Sequence, residues 1–181
     1  MLSGSVVEST YCRSGLYGLV MPSSRAGVPT GTASNYFANR DDLLTQAGGR
    51  IYERLQPDEA TMELSLKGPR DQGRTVELMR ELVARITAYD IGYLALLELR
   101  LEATRRAALR AVLTERIRAD VEANVRYHLE SGLPGDATMV KLLYLAMNWL
   151  IVERLTLPDV FSPEESEELV TRAVERLMPS S

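Results

Sequence analysis

Apolar residues recur at three-to-four spacing along most of the chain from residue 39 onward, which is the period of an amphipathic helix. The first stripe follows Asn39, a favourable N-cap residue, and stops before Pro57. Residues 57 to 74 contain two Pro and two Gly, so we expect a connector with a short helix at most. The pattern therefore predicts an all-α fold.

Five further helices are predicted beyond the connector. Asp90, Asp136 and Ser162 are candidate N-caps, and Gly132 is a candidate helix-ending residue in the left-handed conformation. Pro163 suits the first position of the last helix, and Pro179 should end it. The predicted helices cover residues 76–89, 91–103, 109–129, 139–157 and 163–178.

The segment from Met139 to Leu157 is the most apolar of the chain. Too much of its circumference is apolar for a surface helix, so we expect it to contact both its own core and a second subunit. The last helix carries one apolar stripe that includes Val170 and Val174. Two terminal helices of this kind predict a homodimer held by an intermolecular four-helix bundle.

Composition and charge restrict the possible functions. The chain has 181 residues, is 45% hydrophobic and has a formal net charge of −4, as expected of an ordinary globular protein with a real core. Its single cysteine, Cys12, excludes an intramolecular disulfide and suits a reducing cytoplasm, where we expect the protein. No apolar run reaches the roughly 18 residues of a membrane span, so no membrane partner is expected.

Catalysis finds little support in the residues. The chain has one His and one Cys, far apart in sequence, and its carboxylates lack metal-ligand spacing. The loop around Gly68 and Gly73 lacks the Lys-Ser/Thr that follows a phosphate-binding glycine loop. We therefore expect no enzyme, no catalytic residues, no metal and no cofactor.

Residues 26–44 read AGVPTGTASNYFANRDDLL and have the features of a turn followed by a DNA-reading helix. Gly27 supplies a turn, Val28 an apolar plug between two helices, and Pro29 a fixed φ at the start of the next helix. Ala33 and Phe37 fall on the side facing the core. The small polar residues at the start of this helix suit a close approach to a DNA groove.

These residues resemble the signature of the tetracycline-repressor (TetR) family of bacterial transcriptional regulators. The resemblance rests on matches at fixed spacing, with a conservative match at Arg40, and on the all-helical remainder of the chain. The matching positions are Ala26, Gly27, Val28, Gly31, Thr32, Tyr36, Phe37, Asp41, Asp42 and Leu43.

The resemblance implies a one-component regulator, a repressor that binds double-stranded operator DNA as a dimer and is released by a small-molecule effector. By position, the implied DNA-binding residues are Thr30, Gly31, Thr32, Ser34, Asn35, Tyr36 and Arg40. Arg40 and Tyr36 match phosphate contacts, whereas Thr30 and Ser34 are shorter than the usual family residues, so their contacts must be shorter or water-mediated. The effector-binding residues are not identified by the sequence.

The resemblance divides the chain into a helix-turn-helix domain, residues 1–46, and a helical effector-binding and dimerisation domain, residues 47–181. Residues 1–25 are atypical of the first domain, because Gly4, Gly15, Gly18 and Pro22 interrupt the expected helices. One hypothesis is a shifted reading frame, an incorrect start or a real mutation. Residues 1–50 also carry a balance of only +1, which is little for a duplex-binding module. The alternative function is therefore a helical ligand-binding dimer whose DNA binding is impaired or absent.

Several side chains have two interpretations. His128 is interpreted as a packing residue rather than a ligand, and Met62, Met79 and Met147 as core rather than pocket wall. Trp149 and Tyr144 suit either an effector pocket or a packed interface. The charged residues between Glu98 and Arg106 are interpreted as a solvated face with i,i+4 pairing rather than a polar ligand site.

Overall fold

The computed structural model describes residues 40–178, with side chains from residue 42 onward. This part of the chain contains seven α-helices and no strand, so the all-α prediction is confirmed. The helices are α1 (Arg40–Leu55), α2 (Glu59–Ser65), α3 (Gln72–Thr87), α4 (Asp90–Ala103), α5 (Ala107–Ser131), α6 (Ala137–Thr156) and α7 (Pro163–Leu177).

Side-chain caps set the start of four of these helices. Asp58, Asp71 and Asp136 each accept hydrogen bonds from backbone N–H groups in the first turn of α2, α3 and α6. Ser162 and Glu165 form a reciprocal capping box at the start of α7. The predicted caps of α6 and α7 are confirmed, and Asp71 starts α3 four residues earlier than the apolar stripe indicated.

The predicted cap of α4 is wrong. The N-cap position is Tyr89, which makes no side-chain cap bond, and Asp90 is the first residue of the helix. The carboxylate of Asp90 accepts from the next backbone N–H, that of Ile91, at 2.6 Å. Its negative charge is still favourable in the first turn because of the helix dipole.

Gly132 ends α5 in the left-handed conformation, with φ 73°, as predicted. The turn that follows is closed by His128, which is only 7% exposed and whose Nε2 lies 2.8 Å from the carbonyl oxygen of Pro134. His128 is thus a buried residue that stabilises the turn between α5 and α6, in agreement with its interpretation as a packing residue.

Two hydrophobic cores hold the helices together. The first lies among α3, α4, α6 and α7, and the second among α1, α4 and α5. Helix α4 contributes Tyr93 to the first core and Leu96, Leu99 and Ala103 to the second. This is why its apolar residues lie on more than one face of the helix.

The apolar circumference of α6 divides into a buried and an exposed face. Leu143, Met147, Leu150 and Ile151 are buried in the first core. On the opposite side Leu142, Leu145 and Trp149 are 45%, 62% and 65% exposed. We call these three residues the outer face of α6. No helix among residues 40–178 is both long and apolar enough to cross a membrane.

Prediction: Gly92→Ala should destabilise the fold, by about 1–3 kcal/mol, as overpacked core positions do. Gly92 is buried, and a Cβ there would overlap the ring of Tyr89, which lies under the Arg54 guanidinium. Gly49→Ala is the matched control, since its Cβ would meet only the Arg116 guanidinium at 3.6 Å. Replacing this helical glycine by alanine should raise the free energy of unfolding by at most about 1 kcal/mol. Urea unfolding at one fixed chain concentration measures both, and equal effects of the two variants would contradict the packing argument.

Candidate effector cavity

The DNA-binding residues expected from the sequence lie mostly outside the described part of the chain. Thr30, Gly31, Thr32, Ser34, Asn35 and Tyr36 precede residue 40, and so does Asn39. Arg40 is the first residue of α1, and its side chain is also outside the described part. The domain boundary expected at residues 46 and 47 falls inside α1, so the two predicted domains share one continuous helix.

A cavity of about 740 Å³ opens between the C-terminal half of α4, the middle of α5 and the start of α6. This volume lies within the range of small-molecule sites in proteins. Its floor is apolar and its rim is basic. The floor is formed by Ala103, Leu113, Ile117 and Val121, and the rim by Arg100, Arg110, Arg118 and Lys141, with Glu122 as the one acidic lining residue.

The spacing of residues along α5 explains this division. Leu113, Ile117 and Val121 are four residues apart and therefore form one stripe along the helix. Arg110, Thr114, Arg118 and Glu122 form the neighbouring stripe with the same spacing. Helix α5 thus contributes residues both to the apolar floor and to the charged rim of the cavity.

The apolar stripe of α5 becomes steadily more accessible toward its C-terminal end. Leu109 and Leu113 are buried, Ile117, Val121 and Val125 are half-buried, and Leu129 is 51% exposed. The sequence predicted one apolar face over the whole helix, but only its first part is covered by α1 and α4. Ile117 packs against the second core and Val125 against the first, and the part of the stripe that stays accessible to solvent lines the cavity.

A second depression of about 380 Å³ continues along α5. Val125 and Leu129 contribute its apolar surface, and Glu122 and Lys141 border both depressions. From Arg110 to Glu130 the two follow α5 over about 30 Å, at 1.5 Å per residue. We call the two depressions together the α5 trough.

A polar cluster lies beside the cavity, among α1, α4, α5 and α6. The Tyr52 hydroxyl donates to Asp120 Oδ2 at 3.1 Å, and the Tyr93 hydroxyl donates to Asn148 Oδ1 at 3.1 Å. Asn148 in turn donates to the Tyr144 carbonyl oxygen at 2.8 Å. These bonds connect α1 to α5 and α4 to α6, so the helices around the cavity are joined by directional contacts as well as by packing.

Burial changes the acid–base behaviour of this cluster. Desolvation raises the pKa of Asp120 above its usual value, although the Tyr52 hydroxyl and the nearby Arg85 oppose the rise. Desolvation and the neighbouring Tyr144 and Asp120 raise the pKa of Tyr52 far above the usual range. The cluster therefore disfavours negative charge. Burial raises the pKa of Tyr93 and Tyr144, and the positive charge of Arg100 on the cavity rim lowers both pKa values and so opposes part of this rise.

The charged residues near the end of α4 do not form a simple solvated face. The i,i+4 pairing is present, since Arg106 Nε lies 2.5 Å from Glu102 Oε1. Glu102 is, however, only 6% exposed, and Arg105 Nη1 approaches it at 3.8 Å. Arg100 belongs to the cavity rim instead. The sequence could not separate these roles because the five charges, from Glu98 to Arg106, lie within about two helical turns.

The structure also shows where the other residues lie that had two interpretations from the sequence. Met147 is buried in the first core and Met79 packs against it, in agreement with their interpretation as core. Met62 is half-buried on α2, away from the cavity lining. Tyr144 belongs to the polar cluster, and Trp149 lies on the outer face of α6.

Within residues 40–178 no group of three or more His, Cys, Asp or Glu side chains is placed to hold a metal ion.

The fold and the cavity together define an all-helical ligand-binding domain. A family model described as "Tetracyclin repressor-like, C-terminal domain" matches residues 70–180, which include α3 to α7. The chain therefore belongs to the TetR family of regulators, as the resemblance of residues 26–44 implied. No curated protein matches the chain significantly. Family membership indicates a regulator rather than an enzyme.

Prediction: the stability gained by Asp120→Asn should increase with pH. Because the pKa of Asp120 is raised in the folded chain, the folded state binds this proton more tightly than the unfolded state. The contribution of the carboxyl to the free energy of unfolding is therefore complete below the unfolded pKa of about 3.8 and is lost as the pH rises through the folded pKa. Urea unfolding of wild type and variant across this window measures the difference.

Tyr52→Phe provides the matched comparison. It removes the hydroxyl that stabilises the ionised carboxylate, so the loss of stability with rising pH should be larger in this variant than in wild type. A stability difference between wild type and Asp120→Asn that stays constant or falls with pH would contradict the raised pKa.

Proposed function

We propose that the protein is a TetR-family transcriptional repressor that binds operator DNA as a homodimer and is released by a small-molecule effector held in the cavity. The observation that carries this proposal is the position of α1. Residues 26–44 end inside this helix, and Leu44, the last of them, is 1% exposed in the second core. A DNA-reading segment would therefore be attached directly to the helices that line the cavity.

Helix α1 packs on both α4 and α5, which form the two sides of the cavity. The Cβ of an alanine at Gly48 would lie 3.4 Å from Leu99 on α4 and 3.5 Å from Leu113 on α5, so the three helices meet closely. A ligand that changes the separation of α4 and α5 must also move α1. Its effect on DNA affinity is limited by its own preference between the two arrangements.

The outer face of α6 supports the dimer. Leu142, Leu145 and Trp149 are exposed at i, i+3 and i+7, so they form one stripe, and Leu169 adds 41% exposed apolar surface on the adjacent α7. Aromatic and aliphatic residues in such a stripe are typical of the centre of an interface. We propose that the same faces of two copies pack as a four-helix bundle about a twofold axis.

Prediction: Leu145→Glu should weaken dimerisation by at least roughly 2 kcal/mol per interface residue, because a charge would be buried twice in a symmetric interface. The matched control is Leu101→Glu, which places the same charge at a residue that is 70% exposed on α4 and does not belong to the outer face of α6. Sedimentation equilibrium measures the dissociation constant. A dimer unaffected by Leu145→Glu but disrupted by Leu101→Glu would place the interface elsewhere.

Prediction: Tyr36→Ala and Arg40→Ala should each lower affinity for the DNA flanking the protein's own gene. Arg40→Ala should also flatten the dependence of log affinity on log salt, by about 0.9 for the phosphate that it no longer neutralises, whereas Tyr36→Ala removes only a neutral hydroxyl and should leave the slope unchanged. Arg50→Ala is the control, since Arg50 is exposed on α1 about 15 Å beyond Arg40. Fluorescence titration at low and moderate salt measures both quantities. An unchanged slope in Arg40→Ala, or an unchanged affinity in Tyr36→Ala, would contradict the phosphate role of that residue.

The same titration distinguishes the second candidate function. The interruptions in residues 1–25 and the balance of only +1 over residues 1–50 favour a helical ligand-binding dimer without effective DNA binding. If the wild-type chain binds no duplex at low salt while it remains a folded dimer, this second function replaces the first.

A further inference from the structure

We propose that the α5 trough binds an amphipathic organic anion, a molecule with an acidic head group and an extended apolar tail. The proposal rests on the proposed function only in naming this molecule as the effector. Binding itself is independent of DNA. The chemical class follows from the charges of the rim, their lack of partners, and the shape of the apolar floor.

The rim is strongly basic although the chain as a whole is acidic. Arg100, Arg110, Arg118 and Lys141 are opposed by Glu122 alone in the larger cavity, whereas the net charge of the protein is −4. All four cations are exposed and lie around one opening. Their combined field attracts anions and repels cations at this site.

None of the four cations forms an ion pair with any residue in the part of the chain that the structure describes. Arg118 is unpaired although Glu115 and Glu122 lie one turn away on the same helix. Elsewhere arginines such as Arg80 and Arg172 do pair with carboxylates, at 2.9 Å in each case. The cations of the rim are therefore available to an external anion.

The floor of the trough requires an apolar partner of some length. Ile117 and Val121 are half-buried in the first depression, and Val125 and Leu129 continue the same stripe into the second. A small hydrophilic anion would leave this surface in contact with water. A chain of methylene groups lying along α5 would cover this surface and remove it from water.

A nucleic acid backbone is a poorer partner for the same surface. Phosphates need cations that a duplex can reach from outside, whereas here the cations surround an apolar floor. A charged, hydrated phosphate backbone has no apolar surface to pack against that floor, so the contact would remove water from the phosphates without a compensating apolar contact.

The test uses the full-length protein and four probes below their micellar concentrations, with binding measured by isothermal titration calorimetry. Dodecanoate should bind at least roughly tenfold more tightly than dodecan-1-ol and dodecyltrimethylammonium, which share its tail but not its charge. Acetate, which has the charge without the tail, should not bind measurably. Equal affinity for the three long-chain probes would show non-specific apolar binding and would overturn the proposal.

Charge-reversal variants locate the site. The double variant Arg110→Glu and Arg118→Glu should raise the dissociation constant of dodecanoate by at least roughly tenfold and leave that of dodecan-1-ol unchanged. Arg116→Glu is the matched control, because Arg116 is exposed on the same helix but lines neither depression. An equal loss in the control, or no loss in the double variant, would overturn the assignment to the trough.

A third variant tests the floor independently of charge. Val121→Trp fills the apolar floor and keeps every cation, so it should weaken dodecanoate and dodecan-1-ol by a similar factor. Thermal unfolding of each variant without ligand confirms that the fold is retained. Unchanged dodecanoate affinity in folded Val121→Trp would overturn the proposed position of the tail.

Adding the probes to the complex with DNA separates this inference from the proposed function. Binding of dodecanoate at the trough in a chain that binds no duplex would refute the repressor function and leave the inference intact. A DNA complex that forms normally in a chain that binds no dodecanoate would refute the inference and leave the repressor function intact.

Discussion

The packing of α4 into two hydrophobic cores is the constraint on which the rest of the structure depends. Tyr93 fixes one end of the helix to α3, α6 and α7, and Leu99 and Ala103 fix the other end to α1 and α5. Helix α6, which carries the outer face on its opposite side, and the start of α1 are therefore packed against the same helix. Because close-packed interiors change between discrete arrangements rather than deforming continuously, a shift of α4 must be transmitted to both.

The cavity exists because this packing leaves part of α5 uncovered. Helices α1 and α4 cover Leu109 and Leu113, but the exposure of the stripe rises along the rest of α5, although α6 also packs on this helix. The uncovered stripe is bordered by cations that remain hydrated when no ligand is present. Their exposure keeps the cost of leaving them unpaired small, so the site combines accessible charge with a preformed apolar surface.

Periodicity and caps predicted the helices well, because both are local properties of the sequence. The end of α1 before Pro57, the left-handed Gly132 and the capping box of Ser162 each depend on a few neighbouring residues. The errors concern helix starts: Asp71 caps α3 four residues before the apolar stripe begins, and Asp90 lies inside the first turn of α4 instead of at its cap, because one residue of shift at a helix start leaves the apolar period unchanged. The cavity was not predicted, since a stripe that lines a cavity and a stripe that fills a core have the same period. The repeat of Arg110 and Arg118 beside that stripe was the available signal, but Glu115 and Glu122 near Arg118 made it equally consistent with paired surface charges.

Under the proposed function, the position of α1 also accounts for how a weakly basic DNA-binding segment would be sufficient. A homodimer would present two such segments at a fixed separation, so the second contact with the operator would be effectively intramolecular and would add affinity without further charge. That added affinity disappears when the separation changes, even if each segment keeps its own interactions with DNA. Since Leu44 packs α1 against the helices that line the cavity, the proposed effector would need to alter only their spacing to remove this added affinity. In this proposed mechanism, the lower the charge of the reading segment, the more its DNA affinity would depend on the spacing of the two segments in the dimer.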